Sequence, residues 1–437
     1  MRHALIIVSL LFLLLFGFPI LGFTEETESP SEHNPETSTS LTSLVHDYLT
    51  ASDSESGQTV LSDILAHPDV SVSTVSEVIR QPQKFLQQPV GPQPAKEITV
   101  RGRQYRYSLN VPSSYDPAKI YPLIVCLHGA GFTGESYLER WVPRLDDNYI
   151  LVCPTVSMGA WWSRSAEELV LKIVRTLQGH YHIDRDRVFL TGMSNGGVGA
   201  WIIGMHHADM FAGIAPMASG IDDVLFPFLD NLRNTPVYII HGLHDEVMPV
   251  SLSRTLVNEM VDRGYQHVYQ EHNFTHPHAG GHFFPREELP ALISWFDEQK
   301  RGPISQRVSV VRDATHLQSF SWVRIDATDH IAAFSEQLID QRDKLIAEKV
   351  YAKLDAEVIA PNRIAVKTKH VRRYTVFLND ELVDFSQPVT VVTNGKVSFE
   401  GHITPDLNTL LRQARFRNHT HRLYSAQQTI EVPDANE

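Results

Sequence analysis

The residues with most chemistry to offer stand in Thr191-Gly192-Met193-Ser194-Asn195-Gly196-Gly197, which contains the spacing G-x-S-x-G. A serine hydroxyl is a poor nucleophile near neutral pH. It needs a base to take its proton, a carboxylate to orient that base, and N–H donors for the charge that builds on the attacked oxygen. A β-favouring run, Arg187 to Leu190, precedes the motif, and a small, apolar stretch, Gly197 to Met205, follows it. The spacing predicts a tight strand-to-helix turn with Ser194 at its tip, and glycines where a Cβ would strike the crossing strand and helix. The helix N-terminus behind the serine would favour developing negative charge.

The partners are sought at the ends of other strand-like runs. Tyr121 to Leu127 is continuously apolar, as a parallel strand buried on both faces would be, and it ends in His128-Gly129-Ala130-Gly131. Backbone N–H groups of Ala130 or Gly131, with that of Asn195, are the expected oxyanion donors. Asp245 follows the run Val237 to Ile240 and is the expected carboxylate, better placed than Glu246, Asp222 or Asp223. His272, His276, His278 and His282 crowd together downstream. Of these, His282 follows Gly280-Gly281 on a turn before the last helix, and the order Ser194, Asp245, His282 is that of one known triad class. A metal site is the competing use of the cluster, but acidic partners are not close by, so neither metal nor cofactor is expected. Trp161 and Trp162 are candidates for a substrate pocket, with packing as the alternative role.

Stepping outward, the pattern from Glu97 to Gln299 alternates strand and helix, which implies a mostly parallel sheet covered on both sides. Residues 96–301 are expected to form this α/β catalytic domain. From 302 to 437 short alternating runs take over, with Asn394-Gly395 as a hairpin signal, and a β-rich, sandwich-like accessory domain is expected there. Helices are expected from Asp406 to Arg415 and from Phe334 to Lys349. This accessory domain is expected to be dispensable for the chemistry. Residues 44–95 read as a small helical prelude closed by Pro89, Pro92 and Pro94, and residues 24–43 as an acidic, unfolded linker. Residues 1–23 have a basic start and a leucine-rich core, the mark of an export signal, whether cleaved or retained as a membrane anchor.

Apolar content of 42% and charged content of 20% suit a folded chain of 437 residues, and the formal charge of −13 argues against nucleic acid as a partner. The two cysteines, Cys126 and Cys153, lie in apolar runs and are expected as buried thiols rather than a disulfide. Neither composition nor motif fixes the oligomeric state.

Together, YPLIVCLHGAG, DRVFLTGMSNGG, DMFAGIAPMASG, HGLHDEVMP and GGHFFP resemble the α/β-hydrolase superfamily, and within it the polyhydroxybutyrate-depolymerase and feruloyl-esterase type. The resemblance covers roughly Glu97 to Lys300. It implies a doubly wound α/β-hydrolase sheet, Ser194 as nucleophile, His282 as general base and then acid, Asp245 as its orienter, and a small or polymeric ester as substrate. A serine peptidase of prolyl-oligopeptidase type and a non-catalytic binding protein on the same fold are the competing readings. The prelude is too short for the propeller such peptidases usually carry.

Overall fold

Strands buried on both faces supply the frame. The computed structural model describes residues 40–433, apart from 52–53, 82, 146, 315–316, 318, 330–343 and 418–420. The expected export signal, most of the acidic linker and most of the helix expected from Phe334 lie outside the described residues. Within unit Ser40–Glu437 the chain opens with three helices, α1 (Leu41–Thr50), α2 (Ser54–Ala66) and α3 (Val72–Arg80), the first and third capped by the hydroxyls of Ser40 and Ser71.

A hairpin follows, β1 (Gly91–Val100) and β2 (Arg103–Val111), turning on Arg101 and Gly102, both at positive φ. Pro92 and Pro94 sit inside β1 rather than ending the prelude. That is allowed because β1 is the edge strand and its register shifts between Gln93 and Lys96. The chain then runs β3 (Tyr121–Leu127), α4 (Gly134–Trp141), β4 (Ile150–Thr155), α5 (Arg164–His180), β5 (Ile183–Met193), α6 (Asn195–His206), β6 (Gly213–Met217), β7 (Val237–Gly242), α7 (Ser251–Arg263), β8 (His267–His272) and α8 (Leu289–Glu298). These strands form one eight-stranded sheet in the order β1-β2-β4-β3-β5-β6-β7-β8. It is parallel from β4 to β8, with β1 and β2 antiparallel at one edge. Every residue of β3 and β7 is buried, which explains their unbroken apolar sequences.

Two further sheets complete the chain. One has the order β10-β11-β14-β17, from β10 (Ser319–Phe320), β11 (Val323–Thr328), β14 (Val371–Leu378) and β17 (Ala426–Glu431). The other has the order β16-β15-β13-β12-β9, from β9 (Arg307–Arg312), β12 (Ala352–Ala360), β13 (Arg363–Lys369), β15 (Val389–Thr393) and β16 (Lys396–Gly401). Asn394 and Gly395, both at positive φ, make the tight turn between β15 and β16.

The β-rich part shares its core with the larger sheet. Val308, Val310 and Val311 belong to the same apolar cluster as Phe228 and Leu229, just before β7. Buried Asn231 seals the junction: its amide accepts from Val311 N–H at 2.6 Å and donates to Val311 O at 3.2 Å and to Met205 O at 2.9 Å. The prelude has a packing role as well. Val45, Tyr48, Ile64 and Val75 bury themselves against Leu410, Leu411 and Ala414 of α9 (Leu407–Arg417), joining the two ends of the described chain.

Candidate active site

Ser194 ends β5 and caps α6 with φ 60° and ψ −126°, a strained conformation for a residue with a side chain. The strain is imposed by close backbone crossings. A Cβ on Gly192 would lie 2.3 Å from Gly196 O, and one on Gly196 would lie 2.0 Å from Leu127 O, so no larger residue fits either position. The serine's own N–H donates to Met217 O at 3.1 Å and fixes the turn on β6.

The His128-Gly129-Ala130-Gly131 turn passes directly over the serine: a Cβ on Gly129 would touch Ser194 Cβ at 3.4 Å. His128 is fully buried; its Nδ1–H donates to Gly129 O at 2.8 Å, and its Nε2 accepts from Val156 N–H at 3.1 Å. Burial pushes this imidazole's pKa down, consistent with the neutral tautomer those bonds require. Among the described residues, the N–H groups of Ala130 and Gly131 donate to no protein acceptor. The N–H of Asn195, first in α6, has no intrahelical partner by position.

Asp245 and His282, 37 residues apart, meet in a 2.8 Å bond from His282 Nδ1–H to Asp245 Oδ2. Their loops are stitched by Gly281 N–H to His244 O at 2.7 Å and by the bridge between Asp245 and Gly280. Gly280 has φ +53°, and a Cβ there would fall 2.0 Å from His244 O, so the loops can approach this closely only with glycine. Burial alone would push the Asp245 carboxyl up. Hydrogen bonds from His241, His282 and the N–H groups of Met248 and Val247 outweigh it and hold the group well below the usual carboxylate range. The Nε2 of His282 has no partner among the described residues.

Residues 98–285 match the model of the Esterase family. Over 174 residues the chain is 28% identical to a probable feruloyl esterase C of Aspergillus terreus, covering 37% of this chain and 62% of that protein. Feruloyl esterase C of Emericella nidulans is 27% identical over the same span of 174 residues, again with 37% and 62% covered. The chain thus spans about three-fifths of the length of these relatives. The crystal structure of a thermostable esterase is 29% identical over 47% of this chain and 63% of that one, with a TM-score of 0.42. Sheet order, elbow and family match agree. The chain carries an α/β-hydrolase fold.

Within this fold the paired tryptophans divide. Trp161 has no exposed surface, which corrects the expectation that it lines a substrate pocket. Its indole N–H donates to His128 O at 2.8 Å and its ring meets the His128 ring edge-on, so it braces the turn over Ser194. Trp162 remains 36% exposed. Asn195 adds a bond of its own, Nδ2–H to Met158 O at 3.0 Å, and Met158 beside Gly159 is the exposed apolar residue of that loop.

His278 is exposed and His276 half-buried on the loop that carries His282, while His272 is buried with its imidazole pKa pushed down by burial and by nearby His241. His241 is the residue that sequence reasoning missed. It is fully buried, with Nε2 2.8 Å from Met248 O and 3.2 Å from Asp245 Oδ2, and Nδ1 2.6 Å from Ser253 Oγ. Ser253 Oγ also lies 3.0 Å from Ser219 O, which ties His241 to the turn after β6. The signal of His241 was present in the sequence, one helical turn's spacing before Asp245 in HGLHD.

Proposed function

We propose that the chain is an exported serine hydrolase that cleaves carboxylic esters through an acyl-enzyme. The observation that carries this reading is the Asp245–His282 bond, formed at the same C-terminal sheet edge that presents the strained Ser194. Ser194 Oγ attacks the ester carbonyl as His282 Nε2 takes its proton. Asp245 holds the opposite ring nitrogen and stabilises the imidazolium. The N–H groups of Asn195, Ala130 and Gly131 receive the oxyanion. The alcohol leaves with the proton from His282, and water, activated by the same imidazole, releases the acid.

Similarity to feruloyl esterases makes esters of aromatic acids the first substrates to try. Trp162 and Met158, exposed on the loop beside Asn195, offer apolar surface for such an acyl group. The basic start and leucine-rich core of residues 1–23 support export. Among the described residues no helix is long and apolar enough to cross a membrane. The purified protein should hydrolyse short-chain p-nitrophenyl esters and methyl ferulate while leaving prolyl amides intact. Cleavage of prolyl amides with no ester turnover would replace this reading with the peptidase one.

A further inference from the structure

Away from the serine, a cavity of about 260 Å³ opens between α5, the start of the β-rich sheets and the end of α9. Its walls are of two kinds. One is charged and mainly cationic: Arg164, Arg175, Arg301, Arg312, Arg417 and Arg422 line it, together with the carboxylates of Glu167, Glu168 and Asp209. The other is apolar, with Leu171, Met210 and Leu317.

The cationic wall is incompletely paired. Arg301 reaches Asp186 at 3.0 Å, Arg422 reaches the same carboxylate at 3.6 Å, and Arg417 lies 3.8 Å from Asp209. Arg312, only 2% exposed, forms no ion pair among the described residues, and its one hydrogen bond is Nη1–H to Val311 O at 3.1 Å. Among the described residues, three buried guanidinium nitrogens, Arg301 Nε, Arg312 Nε and Arg417 Nη2, have no acceptor. A buried donor left unmade costs about 1–3 kcal/mol, more for a charged group, so three on one cavity describe a place built for acceptors. Burial pushes the guanidinium pKa values of Arg301 and Arg312 down to about 10, with repulsion from Arg422 adding to the effect at Arg301.

We infer that this cavity binds a small organic carboxylate, its anionic end on Arg301, Arg312 and Arg417 and its apolar body against Leu171, Met210 and Leu317. Planar carboxylates accept paired bonds from guanidinium groups, which suits three unpartnered nitrogens better than a water does. The cavity of about 260 Å³ exceeds the roughly 150 Å³ that admits a benzene ring, so an aromatic acid fits where an inorganic anion would leave the apolar wall bare. The inference does not depend on the triad. It does place the occupant beside Glu167, which also lines the cavity and is bonded to His206 and His207 at the C-terminal end of the helix that begins after Ser194.

The test is calorimetric titration of the whole protein with benzoate, with benzamide as neutral isostere and inorganic phosphate as a second anion. Benzoate should bind saturably, and benzamide and phosphate at least about tenfold more weakly, as expected when charge-assisted bonds or apolar contact are lost. Arg312→Met should stay folded, because replacing a buried charge by an apolar residue of similar volume is often neutral. It should weaken benzoate about tenfold or more. The less buried Arg417→Gln provides the same readout should Arg312→Met fail to fold. Equal binding of benzamide and benzoate, tighter binding of phosphate, no binding of benzoate, or unchanged benzoate affinity in both variants would each overturn the assignment. The last outcome would place benzoate elsewhere, the serine site included.

Discussion

Asp245 and Glu167 are both buried carboxylates bonded to two histidines, yet one stands in the loop after β7 and the other in α5. Asp245 takes His241 on one side and His282 on the other, and the free Nε2 of His282 lies at the sheet edge that carries Ser194. Glu167 takes His206 Nδ1 at 3.1 Å and His207 Nε2, both from the C-terminal end of α6, with no strained nucleophile beside them. Burial pushes Glu167 up, but the two histidines hold it well below the ordinary range, just as the bonds around Asp245 do. Electrostatics therefore does not distinguish the pairs. What distinguishes them is the rest of the constellation. A serine forced to positive φ begins α6, under a turn whose N–H groups are free among the described residues; a hydrogen-bonded cluster tying α5 to α6 occurs at the other end.

If this contrast is right, turnover should depend on one end of the helix and stability on the other. Ser194→Ala should have the largest effect on turnover, reducing kcat on a p-nitrophenyl ester by about a millionfold with an unchanged circular dichroism spectrum. Near-native turnover there would remove the serine from the reading. Asp245→Asn should lower kcat by roughly ten-thousandfold, because the amide favours the wrong imidazole tautomer. Steady-state kinetics at pH 8 tests it, and a loss of less than tenfold would mean His282 needs no carboxylate.

His241→Leu removes one donor from Asp245 without touching the serine, and should lower kcat/KM by about tenfold. It should also change acid stability in a defined direction. A carboxyl held below its ordinary value of about 3.9 stabilises the fold above that pH, and the contribution is lost as pH falls through the native value. With one bond fewer, the native value rises toward the ordinary one. His241→Leu should therefore unfold at higher pH than the parent in an acid titration followed by tryptophan fluorescence. An unchanged midpoint would show that His241 merely fills space. Glu167→Gln should have the smallest effect on chemistry, with turnover per folded molecule within about twofold of the parent. Removing one partner from a buried charged cluster costs roughly 3–5 kcal/mol, so its urea midpoint should fall clearly. A selective loss of kcat with stability intact would show that the two ends of α6 are coupled.

The shared core of the β-rich sheets and the larger sheet bears on the expectation that residues 302–437 are dispensable for the chemistry but not for localisation or substrate engagement. Val308, Val310 and Val311 cover Phe228 and Leu229, and α9 covers the prelude helices. The alternating strands of that region revealed that it is β-rich. They carried no sign of what its buried faces pack against, because an apolar face has the same sequence whichever partner covers it.

The sequence by itself determined the elements of the larger sheet and the residue types at its C-terminal edge. Two-faced burial writes itself as unbroken apolar runs such as Tyr121 to Leu127, and close backbone crossings write themselves as glycines such as Gly192, Gly196 and Gly280. Which histidine among four meets Asp245, by contrast, depended on loops that come together only when β7 and β8 lie side by side. The inward turn of Trp161, the second histidine on Asp245 and the gathering of Arg301, Arg312 and Arg417 around one cavity were likewise decided by tertiary packing. Each rests on a contact between segments far apart in the chain. Local spacing records the conformation of a segment, and carries no record of the distant surface it will meet.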